Sequence, residues 1–152
     1  MKIKIIQLLC LIIILGCQKN DINDIDVFNG NDTNLSKLNG GWVVINYWAD
    51  WCAPCIKEIP ELNDFAKENK NIKVYTFNFD QLEIDELKPI AKRFSMVPSL
   101  ITHPRDIWGI EIPPAVPATF FITPDGEFSL SLFRPQTKDD LNKIINDLKK
   151  TF

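Results

Sequence analysis

The chain has 152 residues, a formal net charge of −3, 45% apolar and 24% charged residues, four cysteines and one histidine. Its length suits a single domain of about 100–150 residues, and its globular balance of residue types excludes wholesale disorder. Mild acidity gives no electrostatic basis for nucleic-acid binding, four cysteines are too sparse for a disulfide-stapled mini-protein, and one histidine excludes any metal site that needs two.

The chain opens with Lys2 and Lys4, followed by the apolar run Leu8 to Leu15. That run is shorter than the roughly 20 apolar residues a membrane-spanning helix needs, and it reads as a signal sequence. The string Ile14-Leu15-Gly16-Cys17 resembles a bacterial lipobox. The resemblance implies a lipoprotein signal peptide over residues 1–16 and a lipid on Cys17; an uncleaved signal anchor is the alternative. Removal of residues 1–16 takes away two lysines and no acid, so −3 becomes −5. It also removes Cys10, and with Cys17 lipidated only Cys52 and Cys55 remain as thiols. Residues 17–27 are expected to be a polar tether and residues 28–152 the domain. Gln18 stands where an Asp would favour retention in the inner membrane, so the expected location is the cell envelope, facing the periplasm, with the outer membrane favoured.

Within the domain, the continuous apolar run Trp42 to Trp48, opened by Gly40-Gly41, predicts a strand buried on both faces. From Ala53 to Glu68, Ile56, Ile59, Leu62, Phe65 and Ala66 recur at helical spacing, with Pro60 expected to kink the helix. Ile72 to Phe79 alternates and predicts a strand. Ile84 to Phe94 predicts a second helix, interrupted at Pro89. Residues 95–117 hold five prolines and are expected to be irregular. Thr119 to Thr123 reads as a short strand, Pro124-Asp125-Gly126 as a turn and Glu127 to Phe133 as an alternating strand. Thr137 with Asp140 forms a capping-box pattern that opens a last helix bearing Leu141, Ile144, Ile145 and Leu148. This order implies an α/β fold with a central mixed β-sheet flanked by α-helices, and a right-handed crossover joining the first two strands.

The chemistry concentrates in Trp51-Cys52-Ala53-Pro54-Cys55, which follows a strand and opens a helix. Two residues between cysteines let the sulfurs meet in a small disulfide ring. At a helix N-terminus, unpaired N–H groups and the helix dipole lower the pKa of the first thiol. Cys52 is therefore the expected exposed, attacking thiolate, and Cys55, one turn in, the buried resolving thiol. Pro54 removes a donor that the helix start does not need and stiffens the ring. The competing readings are a zinc site, which lacks four evident ligands, a purely structural disulfide, which would close too small a loop to add much stability, and chance cysteines in a core helix.

The string from Asn46 to Pro60, centred on this motif, resembles the active-site region of the thioredoxin superfamily, in particular its TlpA/ResA-like extracytoplasmic thiol–disulfide reductases. The likeness covers about residues 27–152. It implies a thioredoxin fold and disulfide reduction, with Trp51, Ala53 and Pro54 beside the substrate. Glu58 matches an acidic residue of that branch, and one turn beyond Cys55 it can exchange protons with the thiols; a solvated helix carboxylate paired with Lys57 or Lys67 is the alternative. Asn46 stands where cytosolic thioredoxins keep a buried Asp, which moves the acid–base role toward Glu58. Val116-Pro117, ahead of an apolar strand, resembles the family's cis-proline loop. There a cis bond would free the backbone of Val116 to pair with an extended substrate. Pro98 is the rival for that role.

Residues 97–116 form an insertion in which Ile107–Ile110 suggests a short strand or a lid. Trp108 is expected to pin a loop and His103 to lie at the surface. Trp48 is expected in the core, and Trp51 over the disulfide. The resemblance implies, as partners, disulfide-bonded extracytoplasmic proteins, apocytochromes among them, and a membrane thiol donor. The expected protein is a monomer held to the membrane by its lipid, with no nucleic acid, metal or cofactor. Rival readings are a disulfide oxidase or isomerase of the same fold, and a non-enzymatic copper(I)-binding chaperone. Pro54 and the lack of a dimerisation domain weigh against the first. The close spacing of the cysteines, without an added histidine, weighs against the second.

Overall fold

The computed structural model of the protein describes residues 24–152. The expected signal peptide, the lipid site Cys17 and the tether up to residue 23 lie outside the described residues. The fold starts earlier than the expected boundary at residue 28. β1 (Asp24–Ile25) pairs antiparallel with β3 (Thr33–Asn34), and β2 (Val27–Phe28) joins the main sheet. Ile25 is 1% exposed. Ile25 and Val27 alternate with acids, and that short strand signal is hard to see in a polar stretch.

The central strand is β4 (Val43–Trp48), all six residues of which are buried. It runs parallel to β5 (Lys73–Asn78) and antiparallel to β7 (Ala118–Ile122). β6 (Ser99–Leu100) lies parallel to β5 and carries β2 on its far side; β8 (Phe128–Leu132) pairs antiparallel with β7. The order of the mixed six-stranded sheet is β2-β6-β5-β4-β7-β8. The alternation expected for residues 72–79 is absent as a burial pattern. β5 has neighbours on both sides, and its residues from Val74 to Asn78 are buried on both faces.

α2 (Ala53–Glu68) and α5 (Lys138–Thr151) cover one face, where Leu62, Phe65, Leu141 and Ile145 meet Val44, Val74 and Phe121. On the other face Val43, Ile45, Tyr47, Phe77 and Phe120 pack with Leu38 of α1 (Leu35–Leu38) and with Ile107 and Trp108 of α4 (Pro104–Trp108). α3 (Ile84–Phe94) packs Leu87 and Ala91 against Trp48 and Ile59. Pro89 does not interrupt α3. It lies in the middle of the helix on its exposed side, where water can serve the Asp85 carbonyl whose partner it removes. α2 likewise continues through Pro60.

The insertion is more ordered than its prolines suggest. His103 caps α4 by accepting the Arg105 N–H on Nδ1 at 3.0 Å, and Gly109 ends it at φ 63°, a left-handed conformation suited to glycine. His103 is only part-buried, and burial holds its pKa below the ordinary value. Trp108 is a half-buried packing residue rather than part of a strand.

Candidate active site

β4 ends at Trp48, and four residues later Cys52 is the N-cap of α2. Its backbone is extended, and its Sγ accepts the Cys55 N–H at 3.2 Å. Cys52 and Cys55 are joined as a disulfide with their Cα atoms 5.2 Å apart. When that bond is reduced, the same N–H and the N-terminus of the 16-residue helix favour a thiolate on Cys52. Cys52 is more covered than expected, at 4% exposure against 0% for Cys55. Trp48 and Ile59 pack with the pair, and Val116 and Phe79 border them. Cys52 is thus the less completely buried of the two cysteines. Ala53 and Pro54 beside it are exposed.

Trp51 directly precedes the N-cap Cys52 and is open to solvent. It is 63% exposed, its Nε1 donates to Asp80 Oδ2 at 2.7 Å, and its ring stands edge-on to Phe79. Trp48, as expected, is fully buried. The Val116–Pro117 peptide is the one cis bond among the described residues, so Pro117 and not Pro98 takes that position. Pro117 is buried, and Val116 packs against the cluster that contains both cysteines.

Glu58 lies one turn beyond Cys55 on the same side of α2. It is 3% exposed, which overturns the solvated-carboxylate alternative. Its Oε1 accepts the Gln136 backbone N–H at 3.0 Å, while Oε2 has no hydrogen-bond partner among the described residues. Burial pushes its pKa up to about 7, against the smaller opposing pull of the Gln136 N–H and the Asn46 side chain. Asn46, directly across from Thr119 in the sheet, donates to Thr119 Oγ1 at 3.1 Å. The Lys138 N–H, at the start of α5, donates to Glu61 Oε2 at 2.8 Å, so α2 and α5 are stitched at two carboxylates one turn apart. A cleft of about 370 Å³, lined by Ala53, Pro54, Lys57, Glu58, Pro135 and Gln136, opens beside the CxxC turn. Among the described residues, no three His, Cys, Asp or Glu side chains cluster as a metal site would need.

Two positions escaped the sequence reading. Asp80 follows β5 and carries no motif. Gln136 acts through its backbone, and its only trace is that it precedes the Thr137 cap.

A redox-active pair on a helix N-terminus, a buried carboxyl behind it and a cis-proline loop against it define a thioredoxin-fold thiol–disulfide oxidoreductase. The chain belongs to the AhpC/TSA family, whose model matches residues 19–129, and within it to the ResA-like thiol–disulfide oxidoreductases. It is 30% identical over 122 residues to the thiol-disulfide oxidoreductase ResA of Bacillus cereus, covering 78% of this chain and 70% of that one. Among solved structures it is similar to a thioredoxin-family thiol:disulfide interchange protein of Chlorobium tepidum, with a TM-score of 0.67 and 21% identity, over 82% of this chain and 93% of the other. It is also similar to the exposed lipoprotein thioredoxin of Streptococcus pneumoniae, with a TM-score of 0.68 and 20% identity, over 82% of this chain and 97% of the other.

Proposed function

We propose that this oxidoreductase works outside the cytoplasm, lipid-anchored through Cys17, as a reductase of disulfides in exported proteins. The carrying observation is Glu58, a buried carboxyl one turn from Cys55 with its pKa near 7. Reduction requires Cys55 to lose a proton inside the protein, and a buried group titrating near neutrality is suited to receive it.

The exchange has two steps. The Cys52 thiolate attacks one sulfur of the substrate disulfide; that S–S bond breaks, the other substrate sulfur leaves as a thiol after taking a proton, and a mixed disulfide forms. Cys55 then passes its proton toward Glu58 and attacks Cys52 Sγ. The mixed disulfide breaks, the second substrate sulfur leaves as a thiolate that takes a proton from Glu58 or solvent, and the Cys52–Cys55 disulfide closes. The substrate gains two electrons and the enzyme loses two. A membrane dithiol donor restores them by the reverse exchange.

The lipobox pattern at Ile14–Cys17 supports the tether. Relatives described as an exposed lipoprotein thioredoxin and as a secreted disulfide oxidoreductase support the compartment. Apocytochromes that must present reduced thiols to haem are the substrates proposed first.

The test is the two-electron midpoint potential of the full chain, equilibrated against a dithiol buffer. A value of about −270 mV or lower is expected, and one near about −120 mV would assign it as an oxidant. Mass analysis of the N-terminal peptide tests the anchor: a lipid mass on Cys17, absent in Cys17→Ser, is expected.

A further inference from the structure

The sheet ends at β8, and one extra residue shapes that edge. Phe121 pairs with Leu130, but its neighbour Ile122 pairs with Phe128, so Ser129 is left as a bulge. Strict alternation would put Phe128 on the same face as Leu130 and Leu132, which pack under α2 and α5. The bulge turns Phe128 over to the opposite face, beside Ser131 and Phe133. There the Phe128 and Phe133 rings flank Phe120, with centroids 6.1 and 6.2 Å from it.

This aromatic edge faces the last part of the insertion across a groove of about 300 Å³. Phe120 and Ile110 are buried in it, and Ile112, Pro114, Phe128 and Phe133 form its walls. Ile112, Phe128 and Phe133 are 41%, 49% and 53% exposed. They are three of the six exposed large apolar side chains of the described residues, gathered at one place. A concentration of that kind marks a binding surface better than scattered apolar residues do.

Each wall leads, within a few residues of chain, to a segment next to the active site. Three residues beyond Pro114 comes the cis Pro117, after Val116, which packs on the cysteine cluster. Three residues beyond Phe133 comes Gln136, which holds Glu58 and lines the cleft beside Ala53 and Pro54. Three residues of chain span at most about 10 Å. One end of the groove, at Pro114 and at Phe133 just after Leu132, which pairs with Thr119, therefore lies within about 10 Å of the cis-Pro117 loop that borders the cysteines.

We propose that this groove is a specificity subsite, which takes an aromatic or large aliphatic side chain of the substrate polypeptide a few residues from its reacting cysteine. The proposal rests on the oxidoreductase activity. It adds a second point of attachment, so that an extended substrate is held at its sulfur and at one apolar side chain.

The test uses the reduced full chain and a series of symmetrical peptide disulfides. Each peptide carries one cysteine and a single Phe placed two to seven residues from it, and a matched peptide carries Ser at that place. The readout is the ratio of single-turnover rate constants, Phe peptide over Ser peptide, measured within each protein. A misfolded fraction then cancels. Wild type is expected to prefer Phe by about ten-fold or more at one or two spacings. Phe128→Ser and Phe133→Ser, on the edge strand and after it, and Ile112→Ser, on the separate insertion wall, are each expected to bring the ratio toward one. Turnover of both peptides with a ratio near one at every spacing overturns the subsite alone. A ratio that survives all three substitutions does the same. Turnover of neither peptide overturns the oxidoreductase reading and the subsite with it. A concentration-dependent dimer in sedimentation, abolished by Phe133→Ser, would assign the groove to a second copy of the chain and overturn the proposal.

Discussion

The Gln136 backbone N–H points at Glu58 Oε1 from 3.0 Å, across 78 positions of sequence, and leaves Oε2 without a partner among the described residues. One oxygen is fixed and the other is free of partners among the described residues, one turn of α2 beyond Cys55. That asymmetry suits a group that gains and loses a proton while staying in place. Glu58→Gln keeps the shape and removes the titration. The second step of exchange, in which Cys55 displaces substrate, is expected to slow by roughly 10–100-fold at neutral pH, toward the lower end of general-base effects. Wild type should show an inflection near pH 7 that the variant lacks. Stopped-flow measurement of resolution of a preformed mixed disulfide checks this; equal rates and equal pH profiles would remove Glu58 from the mechanism.

The same carboxyl makes stability depend on pH. Its folded pKa of about 7 lies above its ordinary value of 4.5, so the folded state holds the proton more tightly than the unfolded chain. The contribution is fully present below about pH 4.5, declines as the unfolded chain ionises and is lost once pH passes about 7. The difference corresponds to an order of 3 kcal/mol in the oxidised protein. Denaturant unfolding at pH 5 and pH 8 should show wild type losing about that much more than Glu58→Gln over the interval. A parallel loss in both would contradict the burial argument.

The division of labour between the cysteines has a direct signature. Cys52 retains slight access and Cys55 none. Cys55→Ser should therefore accumulate a stable mixed disulfide with a disulfide-bonded peptide, visible as the added mass of one peptide chain. Cys52→Ser should accumulate little, because its remaining thiol is enclosed and lacks the N-cap position. Equal trapping by the two variants would reverse the assignment.

Much of this was readable from residues alone, for reasons of local physics. The run Val43–Trp48, the period of Ile59, Leu62 and Phe65, and the box of Thr137 and Asp140 each act within one or two turns of chain. Each appears in the structure where its pattern puts it. Cys52 and Cys55 were legible because their spacing and their strand-to-helix setting are local. Glu58 was legible as a position, but its burial was not. Burial depends on the segment from Arg134 to Lys138 folding over α2, a contact between distant parts of the chain. The bulge at Ser129 was hidden for a similar reason, since register is set by pairing with β7 and not by the strand's own alternation. β2 and β6 are two residues each, too short to carry a period.

Trp51 illustrates a side chain fixed from outside its own motif. The Asp80 carboxylate accepts its indole N–H at 2.7 Å although the ring is largely open to solvent. Asp80→Ala is expected to change stability by less than about 1 kcal/mol, as for an exposed hydrogen bond. The Trp51 indole proton should exchange with solvent at least ten-fold faster, and the rate with a peptide disulfide should fall severalfold as the ring next to Cys52 becomes free to move. Indole resonances followed by NMR, together with stopped-flow rates, check both. Unchanged indole exchange would mean that the ring is held by Phe79 alone.

The start of α5 is coupled to the active site through its cap. Thr137 Oγ1 accepts the Asp140 N–H at 3.1 Å, while the Thr137 N–H donates to Asp140 Oδ2 at 3.0 Å. Next to this box, the Gln136 Nε2 donates to the Arg134 carbonyl at 2.7 Å, bracing the turn whose N–H reaches Glu58. Thr137→Ala removes the side-chain cap and should cost about 1 kcal/mol. It should also loosen the turn and lengthen the Gln136–Glu58 bond. That bond holds the carboxyl's pKa down, so weakening it leaves burial less opposed and the Glu58 midpoint should move above about 7. Carboxyl carbon shifts followed through a pH titration report the midpoint directly. A loss of stability with an unmoved midpoint would show that the cap supports α5 without reaching the active site.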